Sequence, residues 1–218
     1  LKFIIMSIIC VTIFIIIGIM VSPKLGYQVP SVINFDESVS SLIYRSHYGP
    51  MDEFMILLSN YGREIVWLGV IVFMGIFAGW KGKKIAVIII ISFLIIIPLN
   101  IGFKNFFERN RPPMEGQEIY VPDKTDFAYP SGHASIVAAG AVILIILYRR
   151  EKELLFSIAL AFEAALVCLS RIYVGEHYFL DVIGGVLLGA GISFLTISLS
   201  KYIDPIMTKV RKRIQKEP

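Results

Sequence analysis

The run Ile85 to Phe103, IAVIIIISFLIIIPLNIGF, contains no Lys, Arg, Asp or Glu. A hydrocarbon core about 30 Å thick is crossed by roughly 17 to 25 mostly apolar helical residues, so this stretch alone has the length and composition of a membrane span. Its flanks differ in kind. Lys81, Lys83 and Lys84 precede it, whereas Lys104-Asn-Phe-Phe-Glu-Arg-Asn-Arg111-Pro112 continues it.

Working outward, Phe3 to Pro23, Ile65 to Trp80, Phe127 to Tyr148 and Val182 to Ser200 are equally free of charge, and Leu154 to Ser170 is broken only by Glu163. These runs predict an all-α, single-domain bundle of six transmembrane helices spanning residues 1–218. The second run is short, and the preceding turn lengthens it through Tyr61 and Gly62. The first follows only Lys2, is long for a signal-peptide core and has no convincing small-residue cleavage site, so it reads as a retained helix in a chain that does not begin with Met. Composition agrees. Of the 218 residues 56% are hydrophobic and 17% charged, with a mean hydropathy of +0.73, against about 45 to 50% and 25% in soluble domains. A disordered chain and a small disulfide scaffold are excluded. Cys10 and Cys168 lie inside apolar runs and read as buried thiols without redox or metal duty.

Six spans put both termini on one side, and the distribution of charge says which. Thirteen of the 21 basic residues, from Lys2 through Lys81, Lys83, Lys84, Arg149, Arg150, Lys152 and Lys201 to the tail Lys209, Arg211, Lys212, Arg213 and Lys216, fall on the terminal side. Both termini are therefore expected in the cytoplasm. The other basic residues, Lys24, Arg45, Arg63, Lys104, Arg109, Arg111, Lys124 and Arg171, sit among a dozen acids on the outer side. The tail is an orientation signal touching anionic lipid rather than a nucleic-acid site. In the first outer segment, about 24 to 62, Val39, Leu42 and Ile43 recur at helical spacing. Gly49 and Pro50 interrupt, and Phe54, Met55, Leu57, Leu58 and Tyr61 resume. Two short amphipathic helices on the outer leaflet fit that pattern, either packed over the bundle or acting as a lid that admits lipid.

Three outer clusters carry the chemistry. Lys104 and Arg111 are two helical turns apart, about 10 Å along the axis if the helix persists, so both long side chains can converge on one anion. Ordinary snorkelling at a helix end would account for them too, but they stand on the side that the charge rule depletes. Pro130-Ser131-Gly132-His133 opens the fourth span. Proline suits the first helical position, the following N–H groups lack acceptors, and with the positive end of the dipole they form an anion site. Gly132 permits close approach, Ser131 adds a hydroxyl, and His133 is either a titratable group of that site or a satisfied boundary histidine. The third cluster is Ser170-Arg171-Ile-Tyr-Val-Gly-Glu-His177-Tyr-Phe-Leu-Asp181. Here the His177–Asp181 spacing of four lets a carboxylate fix the imidazole tautomer. A metal pair with Glu176 or His133 added has similar spacing, but Lys104, Arg111 and Arg171 would repel a divalent cation and suit a phosphate, so no metal site is expected.

Taken together, Lys104 with six residues before Arg111-Pro112, then Pro130-Ser131-Gly132-His133, then Ser170-Arg171 with five residues before His177 and three before Asp181, resemble the three-part signature of the type-2 phosphatidic acid phosphatase superfamily. The resemblance runs from about Ile65 to Ser200. It implies a metal-independent, cofactor-free phosphohydrolase working through a phosphohistidine. By carry-over His177 is the nucleophile and Asp181 its orienting partner, Lys104, Arg111, Arg171, Ser131 and the Gly132 amide bind the phosphoryl oxygens, and His133 is the general acid. The physical chemistry agrees: a neutral imidazole attacks phosphorus, a protonated one feeds the leaving alkoxide, and fixed charges about the equatorial oxygens supply most of the acceleration.

The expected partners are the bilayer and a phosphorylated membrane lipid, with no nucleic acid and no obligatory protein. The site is expected on the outer face at the lipid–water boundary. The compact plan resembles the phosphatidylglycerophosphate phosphatases of the B type, which makes phosphatidylglycerophosphate the leading substrate and undecaprenyl diphosphate the alternative. Vanadium haloperoxidases share the signature but are soluble. A non-catalytic lipid-binding membrane protein could dispense with His177 and Asp181. Glu163, seven residues before Ser170, lies on the same helix face two turns deeper. It is either hydrogen-bonded to a neighbouring helix, with Asn100 a possible partner, or part of a pocket beneath the site.

Overall fold

The computed structural model describes residues 1–46, 48–113 and 126–214. Lys124 and Lys216, counted above, lie outside the described residues. Within them every regular element is helical: α1 (Lys2–Val21), α2 (Pro30–Tyr44), α3 (Gly49–Leu57), a π-helical segment (Leu58–Val66), α4 (Trp67–Ile76), α5 (Gly79–Phe107), α6 (Gly132–Leu147), α7 (Glu151–Tyr173), α8 (Phe179–Leu199), a 3₁₀ turn (Ser200–Tyr202) and α9 (Asp204–Ile214). Five helices are long and apolar enough to cross a membrane: α1, the continuous stretch Gly49–Ile76, α5, α7 and Phe179–Tyr202. Apolar α6 is shorter, at 16 residues.

Several boundaries differ from those expected. The second apolar run is not Ile65 to Trp80. Helix persists without a break from Gly49 through the π segment to Ile76, so the second of the two expected outer helices is the first part of this long helix. No proline lies between Pro50 and Ile76 to stop it, and Trp80 belongs to α5, which opens at Gly79 with φ +64°. The fourth run becomes helical only at Gly132: Ser131 is the N-cap, and Pro130 precedes the cap instead of occupying the first helical position. α5 stops at Phe107, where Glu108 adopts a left-handed conformation (φ 48°). Arg111 is therefore beyond the helix, and its distance from Lys104 is not set by two helical turns.

Helix α8 is central, packed on α1, α6 and α5. Small residues make this possible. A Cβ at Gly189 would lie 2.2 Å from the Ser135 carbonyl oxygen on α6, and one at Gly185 would lie 2.5 Å from that of Ser131. Such backbone approach is the usual basis of helix association where the solvent is as apolar as the side chains. One cluster packs Trp67, Ile88, Ile89, Val137, Leu144 and Val167 between α4, α5, α6 and α7. In a second, Phe14 and Tyr129 stack, Phe107 meets both edge-on, and the Tyr129 hydroxyl donates to the Phe14 carbonyl at 2.6 Å. Ile4, Leu68, Leu94, Leu155 and Phe162 point outward, as lipid-facing side chains would.

The two ends of the bundle differ. At one, Lys81 pairs with Glu153 and Lys84 with Asp204 of α9. At the other, the C-termini of α5 and α7 meet the N-termini of α6 and α8, and the Ser22 hydroxyl after α1 donates to the Phe107 carbonyl at 2.6 Å. Gly189→Ala puts a methyl against that Ser135 backbone oxygen and should cost about 1–3 kcal/mol by overpacking. Gly69→Ala, with nothing within 4 Å of its new methyl, should be neutral or stabilising. Thermal unfolding of the two variants in detergent checks the contrast.

Candidate functional site

Where α5, α6, α7 and the π segment converge, beside the turn that leads into α8, a cavity of about 260 Å³ opens. Its polar wall carries Lys104, Arg111, Arg171, His133, His177 and Gly132, and also Arg63, Asn100 and Asp126. Ile96, Ile97, Ile101 and Ile136 form its apolar part, so the pocket joins a charged end to a hydrocarbon-like one. The three sequence clusters thus meet at one place.

Each cation arrives with its own partners. Lys104, in the last turn of α5, pairs with the Asp126 carboxylate, which also accepts from Arg111 Nη2 at 2.5 Å. Partial burial alone would raise the Asp126 carboxyl, but the hydrogen bonds and charges of Lys104 and Arg111 hold it down to about 2. Its ion pairs therefore contribute stability above the ordinary carboxylate range and lose it as pH falls through about 2. Arg111 spans further: its Nε donates to the Asp126 carbonyl (3.1 Å), and its Nη1 donates to the Glu176 carbonyl (2.7 Å) and lies 3.4 Å from His177 Nε2. Arg171, almost fully buried, donates to the carbonyl and hydroxyl of Ser59 and pairs with Glu176.

His177 precedes α8 rather than lying in its first turn, because the helix begins at Phe179 with Tyr178 as N-cap. Asp181 Oδ2 accepts the Tyr178 N–H at 2.9 Å, the N3-carboxylate half of a capping box, and stands 3.6 Å from His177 Nδ1. The Ser131 N–H donates to the Asp181 carbonyl at 3.0 Å, tying the start of α6 to the start of α8. The Ser131 hydroxyl is buried with no hydrogen-bond partner among the described residues. His133 Nε2 lies 3.9 Å from Glu64 Oε1 on the π segment. Asn100 donates to Ser135 Oγ at 3.2 Å and stands against Gly132, so it is not the partner of Glu163, whose carboxylate faces Gly62 on the π segment.

Two groups of residues escaped the sequence reading. Arg109 is buried at 5% exposure, with Nη1 donating to Asp181 Oδ1 at 2.6 Å, Nη2 to Asp36 Oδ2 at 2.5 Å, and its guanidinium over the Tyr178 ring. Asp36 and Ser40 of α2 in turn accept the N–H groups of Leu180 (2.7 Å) and Phe179 (2.8 Å). Helix α2 is thus a clasp on the start of α8. The available signal was a surplus basic residue on the depleted side, two positions before Arg111. The second group, Ser59, Arg63 and Glu64, lies on the π segment, a geometry that often marks functional sites and that hydrophobic periodicity does not report.

Comparison with known proteins follows the same lines. The sequence matches the PAP2 superfamily over residues 81–204. It is 40% identical over 169 residues to an undecaprenyl-diphosphatase of Sulfolobus acidocaldarius, covering 77% of this chain and 79% of that one. With phosphatidylglycerophosphatase B of Bacillus subtilis the identity is 27% over 195 residues, covering 82% and 90%. The crystal structure of a transmembrane PAP2-type phosphatidylglycerolphosphate phosphatase from Bacillus subtilis superposes with a TM-score of 0.72 at 24% identity, over 90% of this chain and 96% of the other.

Replacing Arg109 with Met leaves Asp36 and Asp181 buried without their counter-ion. Loss of one partner of such a cluster costs about 3–5 kcal/mol, so the variant should unfold at markedly lower temperature, and Arg109→Lys should recover part of the loss. Differential scanning fluorimetry in detergent reads both.

Proposed function

The chain belongs to the PAP2 superfamily, and from that premise we propose that it hydrolyses a membrane lipid phosphate through a phosphohistidine formed on His177, without a metal. It is a multi-pass membrane protein and a phosphatase of that family. The observation that carries the mechanism is His177 Nε2 lying beside Arg111 in a cavity also lined by Lys104, Arg171 and His133. A pocket walled by four cations also disfavours a divalent metal.

The chemistry runs in two displacements. His177 Nε2 forms a bond to phosphorus while the bond to the leaving oxygen breaks, and His133 gives that oxygen its proton. Water then attacks the phosphohistidine, its proton passing to His133, and the electron pair of the broken N–P bond returns to Nε2. Lys104, Arg111 and Arg171, with the Gly132 amide and the Ser131 hydroxyl at the start of α6, hold the equatorial oxygens throughout. Asp181 keeps the His177 ring oriented. Asp126 and Glu176 occupy the cations at rest, and the phosphoryl group exchanges with the former.

In the membrane we propose six crossings, counting α6, with both termini cytoplasmic and the site at the outer boundary. The basic residues about Lys81 and Arg149 then face the cytoplasm. For the substrate, the higher identity to a diphosphatase (40% against 27%) favours a polyprenyl diphosphate over phosphatidylglycerophosphate, which the compact plan alone had suggested. Phosphate release by purified protein from the two lipids compares them directly.

His177→Ala should lower turnover by at least about a thousandfold, as loss of a nucleophile does, and acid-labile radiolabel from a terminally labelled lipid should be trapped on wild type but not on the variant. Unchanged turnover in His177→Ala would remove His177 as the nucleophile, and no turnover by wild type on either lipid would leave a lipid-binding protein. EDTA should not reduce the rate; abolished activity would overturn the metal-free step.

A further inference from the structure

Among the described residues Arg63 is the one cavity cation outside the three clusters, and its position on the π segment is defined from both sides. Ser59, a turn earlier, accepts from Arg171 through its carbonyl and hydroxyl. Glu64, the next residue, reaches to 3.9 Å from His133 Nε2. Arg63 therefore lines the cavity between the Arg171 wall and His133, whereas Arg111 stands at His177. If His177 attacks and His133 protonates the departing oxygen, Arg63 is on the departing side. Its resting partner is Glu64.

A single phosphoryl group exposes three equatorial oxygens, and Lys104, Arg111, Arg171 and the α6 terminus already suffice for them. A fourth guanidinium on the departing side has no oxygen left to bind unless the leaving group is itself an anion. Resting on the phosphohistidine reading above, we propose that Arg63 forms a second-phosphate subsite that selects lipid diphosphates, holding the phosphate nearest the lipid while the terminal one is transferred.

The step balances without a co-reactant. Nε2 of His177 bonds to the terminal phosphorus, and the bond from that phosphorus to the bridging oxygen breaks. The electron pair stays on the bridging oxygen, which departs as part of the lipid monophosphate, taking the His133 proton. The negative charge that develops on that oxygen before the proton arrives lies on the phosphate paired with Arg63, whose fork suits two phosphate oxygens at once. Glu64, released from Arg63, is left beside His133. In phosphatidylglycerophosphate the second phosphate is separated from the first by a glycerol, and phosphatidate has none, so neither presents an adjacent anion to this side chain.

The test is kcat/KM of wild type, Arg63→Ala and Arg63→Lys on a polyprenyl diphosphate, phosphatidylglycerophosphate and phosphatidate, each in the same detergent. Ratios between substrates on one preparation do not depend on the fraction folded. Arg63→Ala should lose about ten- to a hundredfold more on the diphosphate than on phosphatidate, the effect of removing a charged hydrogen-bonding partner from a built site. Arg63→Lys should fall between. Equal losses on all three lipids, or the largest on phosphatidylglycerophosphate, overturn the subsite while leaving the phosphohistidine reading intact. Failure of wild type to release phosphate from any of them overturns both.

Discussion

The functional end of the molecule is organised around one buried carboxylate, Asp181. Its side chain accepts from Arg109 and the Tyr178 N–H and stands against His177, and its carbonyl accepts from the Ser131 N–H. Through those contacts the start of α8 is fixed to the start of α6, to the segment after α5 and, through Arg109 and Asp36, to α2. An ionised carboxylate this far from water is sustained only when it is fully hydrogen-bonded and paired. That requirement explains why a buried arginine, a second buried aspartate and an otherwise peripheral helix are all drawn to one point. Burial pushes the Asp36 carboxyl up against the pull of Arg109, so the clasp holds two acids on one guanidinium.

The remaining cations are arranged by the same rule. Lys104 and Arg111 share Asp126, Arg171 takes Glu176 and Ser59, and Arg63 takes Glu64. In the proposed mechanism the phosphoryl group takes the place of Asp126, so Lys104 and Arg111 need not be solvated or rebuilt when an anion enters. This is preorganisation in the electrostatic sense: the dipoles and charges are oriented before reaction. Among them Asp126 is the most exposed and the easiest to exchange, since it is about half open to solvent whereas Glu176 is buried.

Much of this could be read from residues alone, for definite reasons. Apolar runs without charge locate spans because hydrocarbon penalises charge strongly, and the scarcity of charge made Lys104, Arg111 and Arg171 conspicuous on the depleted side. The positions of Pro130 and Arg111 were misjudged because caps and a left-handed turn at Glu108, not periodicity, decide where α6 begins and α5 ends. Arg109 was passed over because nothing in its spacing links it to Asp36, which is far away in the chain and meets it only in the fold. The π segment was unreadable for a different reason: a change from α to π hydrogen bonding rotates Ser59, Arg63 and Glu64 relative to any α-helical wheel.

The packing within the membrane and the chemistry at its edge are one problem. Gly185 stands against the Ser131 carbonyl and Gly189 against that of Ser135, so the backbones of α6 and α8 are in contact directly below the site. The Ser131–Gly132–His133 turn and the His177–Asp181 turn are the ends of those two helices. Their separation is therefore set by glycine contacts within the bundle together with the Ser131–Asp181 hydrogen bond. Because helix backbones in contact are nearly incompressible, this fixes the spacing between the two histidines more firmly than side-chain hydrogen bonds at a wet surface would. The hydrocarbon-facing helices thus act as a rigid mount for a site whose side chains come from helix ends (Lys104, His133, Arg171) and from the segments between them (Arg111, Asp126, His177).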